Sequence, residues 1–160
     1  MRKALKIIFA ALLLIFACVQ LVRPARVNPP VVVGHTLEEN AQLTPEVSEV
    51  LKRSCMDCHS NKTVWPWYSN VAPVSWMLVD HVREGRDHLN FSEWTSYDRR
   101  ETLGLLGEIC KTVKGGVMPL DSYTLIHRSA ALRPGDVSTL CLWSSGEQQR
   151  LASLSAPAAR

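Results

Sequence analysis

The chain has 160 residues, 46% of them hydrophobic, with 18 lysines and arginines against 15 aspartates and glutamates. This length allows one modest domain with additional segments. Five of the basic residues precede position 27, and Glu38 and Glu39 are the only acidic residues before position 44, so the remaining 117 positions carry thirteen charges of each sign. A neutral domain excludes the basic surface that a nucleic-acid-binding protein needs.

Residues 1–22 combine a basic start with an apolar run of about 16 residues, "IIFAALLLIFACVQLV". A membrane-spanning helix needs about 17–25 such residues, and flanking lysines and arginines extend the reach of a short one. We therefore predict an uncleaved transmembrane helix at 1–22. A cleaved signal peptide is less favoured because no small-x-small site follows, and a lipoprotein because the bulky Phe16 precedes Cys18.

Basic residues ahead of the apolar run place the N-terminus in the cytoplasm by the positive-inside rule. The predicted location is therefore the cell inner membrane, crossed once, with the rest of the chain in the periplasm. Residues 23–43 contain three prolines and no sustained period, which predicts a proline-rich linker. A domain is predicted at 44–150 and a disordered tail at 151–160.

Four amphipathic helices are predicted in the domain. The first begins at "TPEVSEVLKRSC", where Thr44 is a typical N-cap and Pro45 a typical first helical residue. The apolar residues of the other three recur at helical spacing: Val74, Met77, Leu78, His81 and Val82; Leu103, Leu106, Ile109, Cys110 and Val113; Val137, Leu140, Cys141 and Trp143. Without any alternating strand pattern, the sequence predicts an all-α domain with long loops.

Two of the five cysteines belong neither to the N-terminal apolar run nor to the "CMDCH" cluster, and a disulfide is predicted between them. Cys110 and Cys141 are the pair that remains, and an oxidising compartment favours a disulfide between them. The alternative is two buried free thiols.

The stretch "RSCMDCHSN" places Cys55, Cys58 and His59 within five positions. Zinc binding needs a second close pair of ligands, and none follows. A redox Cys-x-x-Cys needs a thiolate at a helix N-terminus beside a βαβ pattern, whereas this cluster follows a helix. Cys-x-x-Cys-His is typical of covalent haem attachment, in which the sulfurs form thioethers and the histidine binds the iron. One covalent haem c is therefore the predicted cofactor.

A second axial ligand for the iron is predicted in "GGVMPL". Met118 precedes Pro119, which restricts the preceding backbone to extended conformations. His88, His127 and His81 are alternative ligands, and an open site is a further possibility. Met–His ligation suits electron transfer, whereas an open site would permit gas sensing or peroxide chemistry.

Aromatic and basic side chains near the motif have two interpretations each. Trp65, Trp67, Tyr68 and Trp76 either pack against a porphyrin or fill an ordinary core. Arg83 and Arg86 either pair with propionates or are solvated helix charges.

Six segments together resemble the haem-binding domain family of bacterial membrane-anchored, single-haem c-type proteins. They are "QLVRPARVNPP", "CMDCHSNKTVWPWYSNVAPVSW", "VREGRDHLNFSEW", "GGVMPL", "YTLIHRSAAL" and "LCLW". The resemblance implies covalent haem at Cys55 and Cys58, an axial His59 and an N-terminal anchor. The chain is more loosely similar to class I cytochromes c, in which a Met-Pro loop precedes the last helix, and this implies a class I cytochrome c-like fold and supports Met118.

The predicted function is covalent haem c binding with single-electron transfer at the outer face of the cytoplasmic membrane. The predicted protein is an electron carrier, not an enzyme, with redox partner proteins that the sequence does not identify. The alternative is a haem-based sensor or a peroxidase-like protein with an open or displaceable distal ligand.

Overall fold

A computed structural model describes residues 1–154, and within that range it contains helices and no strands. The α-helices are α1 Arg2–Val19, α2 Leu37–Asn40, α3 Pro45–Ser54, α4 Met56–His59, α5 Val74–His88, α6 Arg99–Lys114, α7 Asp121–Ile126 and α8 Pro134–Ser153. Three short 3-10 helices lie at Trp67–Asn70, Phe91–Ser96 and Arg128–Ala130. The prediction of an all-α domain is confirmed.

The N-terminal helix corrects the prediction of a transmembrane segment at 1–22. None of the helices in residues 1–154 has both the length and the apolar character needed to cross a membrane. Helix α1 has 18 residues and includes Arg2, Lys3 and Lys6, so its uncharged part is only about 20 Å long, against a hydrocarbon core of about 30 Å. The same finding contradicts the predicted location as a single-pass protein of the inner membrane.

The predicted linker at 23–43 contains an ordered helix. Helix α2 begins after Thr36, whose backbone N–H and hydroxyl both donate to the Glu39 carboxylate, at 3.2 and 2.7 Å. Leu37 is fully buried in the hydrophobic core. A helix of four residues is too short to show a periodic pattern, which explains why the sequence did not reveal it.

The first helix of the domain begins and packs as predicted. The Thr44 hydroxyl accepts a hydrogen bond from the Val47 amide at 3.3 Å, and Pro45 is the first residue of α3. Val47, Val50 and Leu51 are buried. The predicted N-cap and apolar face are therefore confirmed.

Helices α6 and α8 form the centre of the fold. Leu106, Ile109 and Val113 of α6 pack in one core with Leu140 and Trp143 of α8. A disulfide between Cys110 and Cys141 joins the two helices. Helix α8 extends to Ser153, beyond the predicted domain end at residue 150, and positions 155–160 of the predicted tail lie outside the described residues.

Most of the predicted apolar face of helix α5 lines a cavity. Of the predicted face, only Val82 is buried. Val74, Met77, Leu78 and His81 instead line a cavity. Apolar residues at helical spacing face either a core or a ligand, and the sequence pattern is the same in both cases.

Candidate functional site

A cavity of about 510 Å³ lies between α5 and α6 and is also bordered by α4 and the loop before α7. This volume is within the range of sites that bind small molecules and cofactors, which are mostly apolar with a few polar groups. Much of the wall is aliphatic or aromatic, including Leu51, Leu78, Leu89, Phe91, Ile109 and Val113. The cavity therefore suits a mostly apolar ligand.

The "CMDCH" cluster contributes three residues to the wall of this cavity. Cys55 ends α3 and begins α4, while Cys58 and His59 belong to α4. All three line the cavity, and both cysteines are free thiols. The chain direction changes at Cys55, so that one short helical turn presents the two sulfurs and the imidazole to the same space.

Burial keeps both cysteines in the thiol form. It is the main cause that raises the pKa of Cys55 to about 12, with the neighbouring Cys58 adding to the effect. It also raises the pKa of Cys58 to about 11, and the charge of Asp57 acts in the same direction. A reactive redox cysteine needs a lowered pKa, so these values disfavour thiol–disulfide exchange.

A zinc site has no support in the geometry. Throughout residues 1–154, His, Cys, Asp and Glu side chains form no group of three or more that could hold a metal ion. Structural zinc takes four protein ligands.

The His59 ring is oriented by a backbone carbonyl. Its Nδ1 atom lies 2.9 Å from the carbonyl oxygen of Leu89. Because a carbonyl oxygen only accepts, the proton is on Nδ1 and the lone pair of the neutral ring is on Nε2. Burial lowers the pKa of His59, while the hydrogen bond to Leu89 opposes this shift. A neutral imidazole fixed through its other nitrogen is the form that binds a metal.

Gly85 allows α5 to approach the cluster closely. A Cβ atom at this position would lie 2.8 Å from the carbonyl oxygen of Cys58 and 3.2 Å from its Cβ. Any side chain would therefore force α4 and α5 apart. The sequence pattern marks Gly85 only as a weak point in the helix, whereas the structure shows that the missing side chain is what brings the two helices into contact.

The four candidates for a second axial ligand have different surroundings. Met118 is partly buried and lines the cavity, as does His81. His88 also lines it, but its Nε2 lies 3.1 Å from Glu108 and its side chain is 68% exposed. His127 does not line the cavity in the part of the chain that the structure describes, and its Nε2 lies 2.5 Å from the hydroxyl of Tyr68.

Most of the aromatic residues after the cluster do not line the cavity in the part of the chain that the structure describes. The indole N–H of Trp65 donates to the Asn28 side chain at 3.1 Å, and that of Trp76 donates to the Val22 carbonyl at 2.7 Å. Trp67 is 78% exposed. Of the four aromatics that the sequence singled out, Tyr68 alone is in the cavity wall.

Arg86 anchors the predicted linker and does not face the cavity. Its guanidinium donates four hydrogen bonds of 2.8 Å, to Ser60 O, Val27 O, the Asn28 side chain and the Thr63 hydroxyl. Arg83 pairs with Asp80 on the exposed side of α5. Both arginines therefore bind protein groups. The sequence could not show this for Arg86, because its hydrogen-bond partners lie far from it in the chain.

Two further cavity residues gave no clear sequence signal. The Ser54 hydroxyl is buried without a hydrogen-bond partner, and it is the only such side-chain atom in the described part of the chain. Tyr123 lines the cavity and donates to Asp57 Oδ2 at 2.7 Å. An unpaired hydroxyl in the wall is consistent with a polar partner supplied by a ligand.

Comparison with known proteins identifies the ligand class. The model of the family described as "Haem-binding domain" matches residues 14–146, a range that includes the cavity and the "CMDCH" cluster. No curated protein and no solved structure matches the chain. The resemblance noted in the sequence is thereby confirmed: the chain belongs to the haem-binding domain family.

Proposed function

We propose that the chain holds one haem covalently and transfers single electrons. The observation that carries this proposal is that Cys55, Cys58, His59 and Met118 all line one apolar cavity. A c-type haem site with two axial ligands uses these side chains: two thiols attach the porphyrin, and an imidazole and a thioether bind the iron. When bound, the haem supplies a one-electron iron couple.

The residues of the cavity fit this cofactor. Cys55 and Cys58 would hold the ring through thioether bonds, and both are unpaired thiols. His59 would bind the iron through Nε2, since its Nδ1 is hydrogen-bonded to Leu89. Phe91 and Leu89 provide apolar contacts on the wall beside His59. The unpaired Ser54 hydroxyl offers a hydrogen bond to a polar group of the cofactor.

Met118 is the proposed second axial ligand. Among the candidates in the wall, His88 has its Nε2 engaged by Glu108, whereas a thioether needs no proton removed and no hydrogen bond broken before it binds iron. Ligation by histidine and methionine raises the reduction potential and leaves no vacant position on the iron. Both properties suit an electron carrier that performs no substrate chemistry.

A sensor or peroxidase-like protein is the second candidate function. One observation favours it: α7, which follows the Met118 loop, has no fully buried side chain. A loop without apolar anchorage can move away and leave a position for a gas or a peroxide. This function requires that an external ligand displaces Met118 readily.

The experiment that tests the proposal uses full-length protein from a host competent in c-type haem attachment. We expect the haem to remain with the chain on a denaturing gel and to be lost from a variant with Cys55→Ala and Cys58→Ala. We also expect Met118→Ala to lose the red charge-transfer band of Met–Fe(III) ligation and to bind carbon monoxide when reduced.

The matched control is Met77→Ala, which removes another thioether from the same cavity wall. It should keep the charge-transfer band. Loss of haem under denaturing conditions would contradict covalent attachment. A Met118→Ala spectrum identical to that of the wild type would contradict the ligand assignment, and rapid carbon monoxide binding by the wild type would favour the sensor or peroxidase-like function.

A further inference from the structure

The loop that carries Met118 is anchored unequally at its two ends. Before Met118, the amides of Gly116 and Val117 donate to the carbonyls of Val113 and Thr112 at 3.3 and 3.0 Å, which fixes the loop to the end of α6. After it, α7 has no fully buried residue, and Leu125 is 72% exposed. Apolar packing therefore does not hold the second end of the loop.

Two phenol groups supply the missing anchorage. Tyr123 of α7 donates to Asp57 Oδ2 at 2.7 Å, a contact between positions 66 residues apart. His127, at the end of α7, has its Nε2 2.5 Å from the hydroxyl of Tyr68. The rings of Tyr123 and His127 stack with centroids 4.4 Å apart. The two hydrogen bonds thus act on one rigid unit.

The acceptor Asp57 is itself fixed to the haem-attachment segment. It lies between Cys58 and Cys55 in the chain, its Oδ1 accepts from the Val64 amide at 3.1 Å, and its carbonyl accepts from the Thr63 hydroxyl at 2.7 Å. Burial, followed by the hydrogen bond to Asp57, raises the pKa of Tyr123, so the phenol remains a donor. A variable position of the Cys-x-x-Cys-His motif therefore links one side of the cavity to the other.

We propose that Tyr123 and Tyr68 are positioning residues that hold Met118 against the cavity, through Asp57 and His127 respectively. This inference rests on the proposed function, because it assumes that Met118 binds the iron. Removing either hydroxyl frees α7, shifts the equilibrium toward a displaced Met118 and makes the distal position easier for an external ligand to reach. His127 acts here as a partner of Tyr68 and not as a ligand.

Imidazole binding to the oxidised, haem-loaded full chain measures this equilibrium. The apparent dissociation constant is the intrinsic one divided by the fraction of molecules with an accessible site. We expect Tyr123→Phe and Tyr68→Phe each to bind imidazole about fivefold more tightly than the wild type, as the loss of one hydrogen bond of about 1 kcal/mol predicts. The Met–Fe(III) charge-transfer band should weaken in parallel.

The chain offers a matched control in Tyr97, the remaining one of its three tyrosines. Its hydroxyl accepts from the Asn90 amide at 2.7 Å, and it is not among the described residues of the cavity wall. Tyr97→Phe removes a comparable hydrogen bond and should change the imidazole affinity by less than about twofold, even where it lowers the unfolding temperature. Equal shifts in Tyr97→Phe and Tyr123→Phe would overturn the proposal.

Met118→Ala distinguishes a failure of the positioning role of Tyr123 and Tyr68 from a failure of the ligand assignment of Met118. It should bind imidazole more tightly than any tyrosine variant, because no internal ligand competes. If it does so while Tyr123→Phe and Tyr68→Phe bind like the wild type, the positioning role is wrong and the ligand assignment stands. If Met118→Ala also binds like the wild type, the ligand assignment itself is wrong. Should Tyr123→Phe yield no haem-loaded protein, Tyr68→Phe decides the question alone.

Discussion

Gly85 and Cys58 lie so close together that a Cβ atom at position 85 would come within 2.8 Å of the Cys58 carbonyl oxygen. The carbonyl oxygen is a backbone atom and the position of a Cβ is fixed by the backbone, so neither could rotate away from the other. The contact between α4 and α5 therefore depends on the absence of a side chain. This dependence gives a direct test of how the cavity is built.

The first prediction is that Gly85→Ala destabilises the fold and impairs haem attachment. Overpacking of this kind costs about 1–3 kcal/mol, and a displaced Cys58 would be less well placed to form the thioether that we propose for it. Urea unfolding and the amount of covalently held haem per chain measure the two effects. The control is Gly104→Ala in α6, where nothing lies within 4 Å of an added Cβ. We expect that variant to gain about 0.5–1 kcal/mol. A Gly85→Ala protein as stable and as haem-loaded as the wild type would contradict the close contact.

The second prediction concerns Arg86, which ties the segment before the domain to α5. Arg86→Lys should lower the free energy of unfolding by about 2–3 kcal/mol, because one ammonium cannot replace a planar group that donates four hydrogen bonds. Arg83→Lys on the same helix is the control. Arg83 makes a single exposed ion pair with Asp80, which contributes about 0–1 kcal/mol.

Two measurements on the arginine variants distinguish a structural role of Arg86 from a role in binding the cofactor: denaturant unfolding and the reduction potential of the haem. Because Arg86 contacts only protein groups in these hydrogen bonds, its replacement should change stability and leave the reduction potential of the haem close to that of the wild type. A change in potential without a change in stability would indicate that Arg86 faces the cofactor.

Helix faces and the grouping of site residues could be predicted from sequence because both follow from local spacing. The 3.6-residue period placed Leu106 and Leu140 in the core, and the Cys-x-x-Cys-His spacing indicated that Cys55, Cys58 and His59 share one site. A cavity wall, however, has the same apolar period as a core, so the pattern around Leu78 does not show which of the two this face of α5 contacts. The apolar N-terminal run indicates a membrane span only if its basic residues flank the helix. In the structure Arg2, Lys3 and Lys6 are part of α1, which shortens its apolar portion.

The contacts that shape the site were not predictable because they join distant positions. Nothing near Leu89 in the sequence indicates that its carbonyl oxygen orients His59. Asp57 and Tyr123 are 66 positions apart, and although Asp57 occupies a variable position of the Cys-x-x-Cys-His motif, the motif does not indicate a partner for it. Gly85 could have been found through the rule that a glycine inside a helix often marks a close approach, but the rule does not identify the neighbour.

The third prediction is that the disulfide between α6 and α8 stabilises the domain. Cys110 and Cys141 are separated by 31 positions, and a loop of this length predicts a contribution of about 3–4 kcal/mol from restriction of the unfolded chain. The double variant Cys110→Ser with Cys141→Ser should lose that amount in urea unfolding under non-reducing conditions. Cys18→Ser is the control, since Cys18 is exposed and unpaired. Equal stability of the double variant and the wild type would show that the disulfide contributes nothing.

The fourth prediction is a pH dependence that arises from Asp136. Its carboxylate lies 2.9 Å from the Arg53 guanidinium, next to the cluster at the end of α3, and accepts from the Arg133 amide at 2.8 Å. Burial raises the pKa of Asp136, but the hydrogen bonds from Arg133 and Arg53 outweigh it, so the pKa is lowered from its usual value of 3.8. The folded state therefore binds the proton less tightly than the unfolded state does.

A lowered carboxyl pKa stabilises the fold above the unfolded value, and the contribution is lost as the pH falls through the lower folded value. Asp136→Asn should therefore be about 1 kcal/mol less stable than the wild type at pH 5–7, and this difference should shrink below about pH 3.8. Asp80→Asn, which breaks only the exposed pair with Arg83, should show little difference at any pH. Urea unfolding of the three proteins between pH 3 and pH 7 measures the effect. A stability difference for Asp136→Asn that grows as the pH falls would have the wrong sign and would contradict a lowered pKa of Asp136 in the folded state.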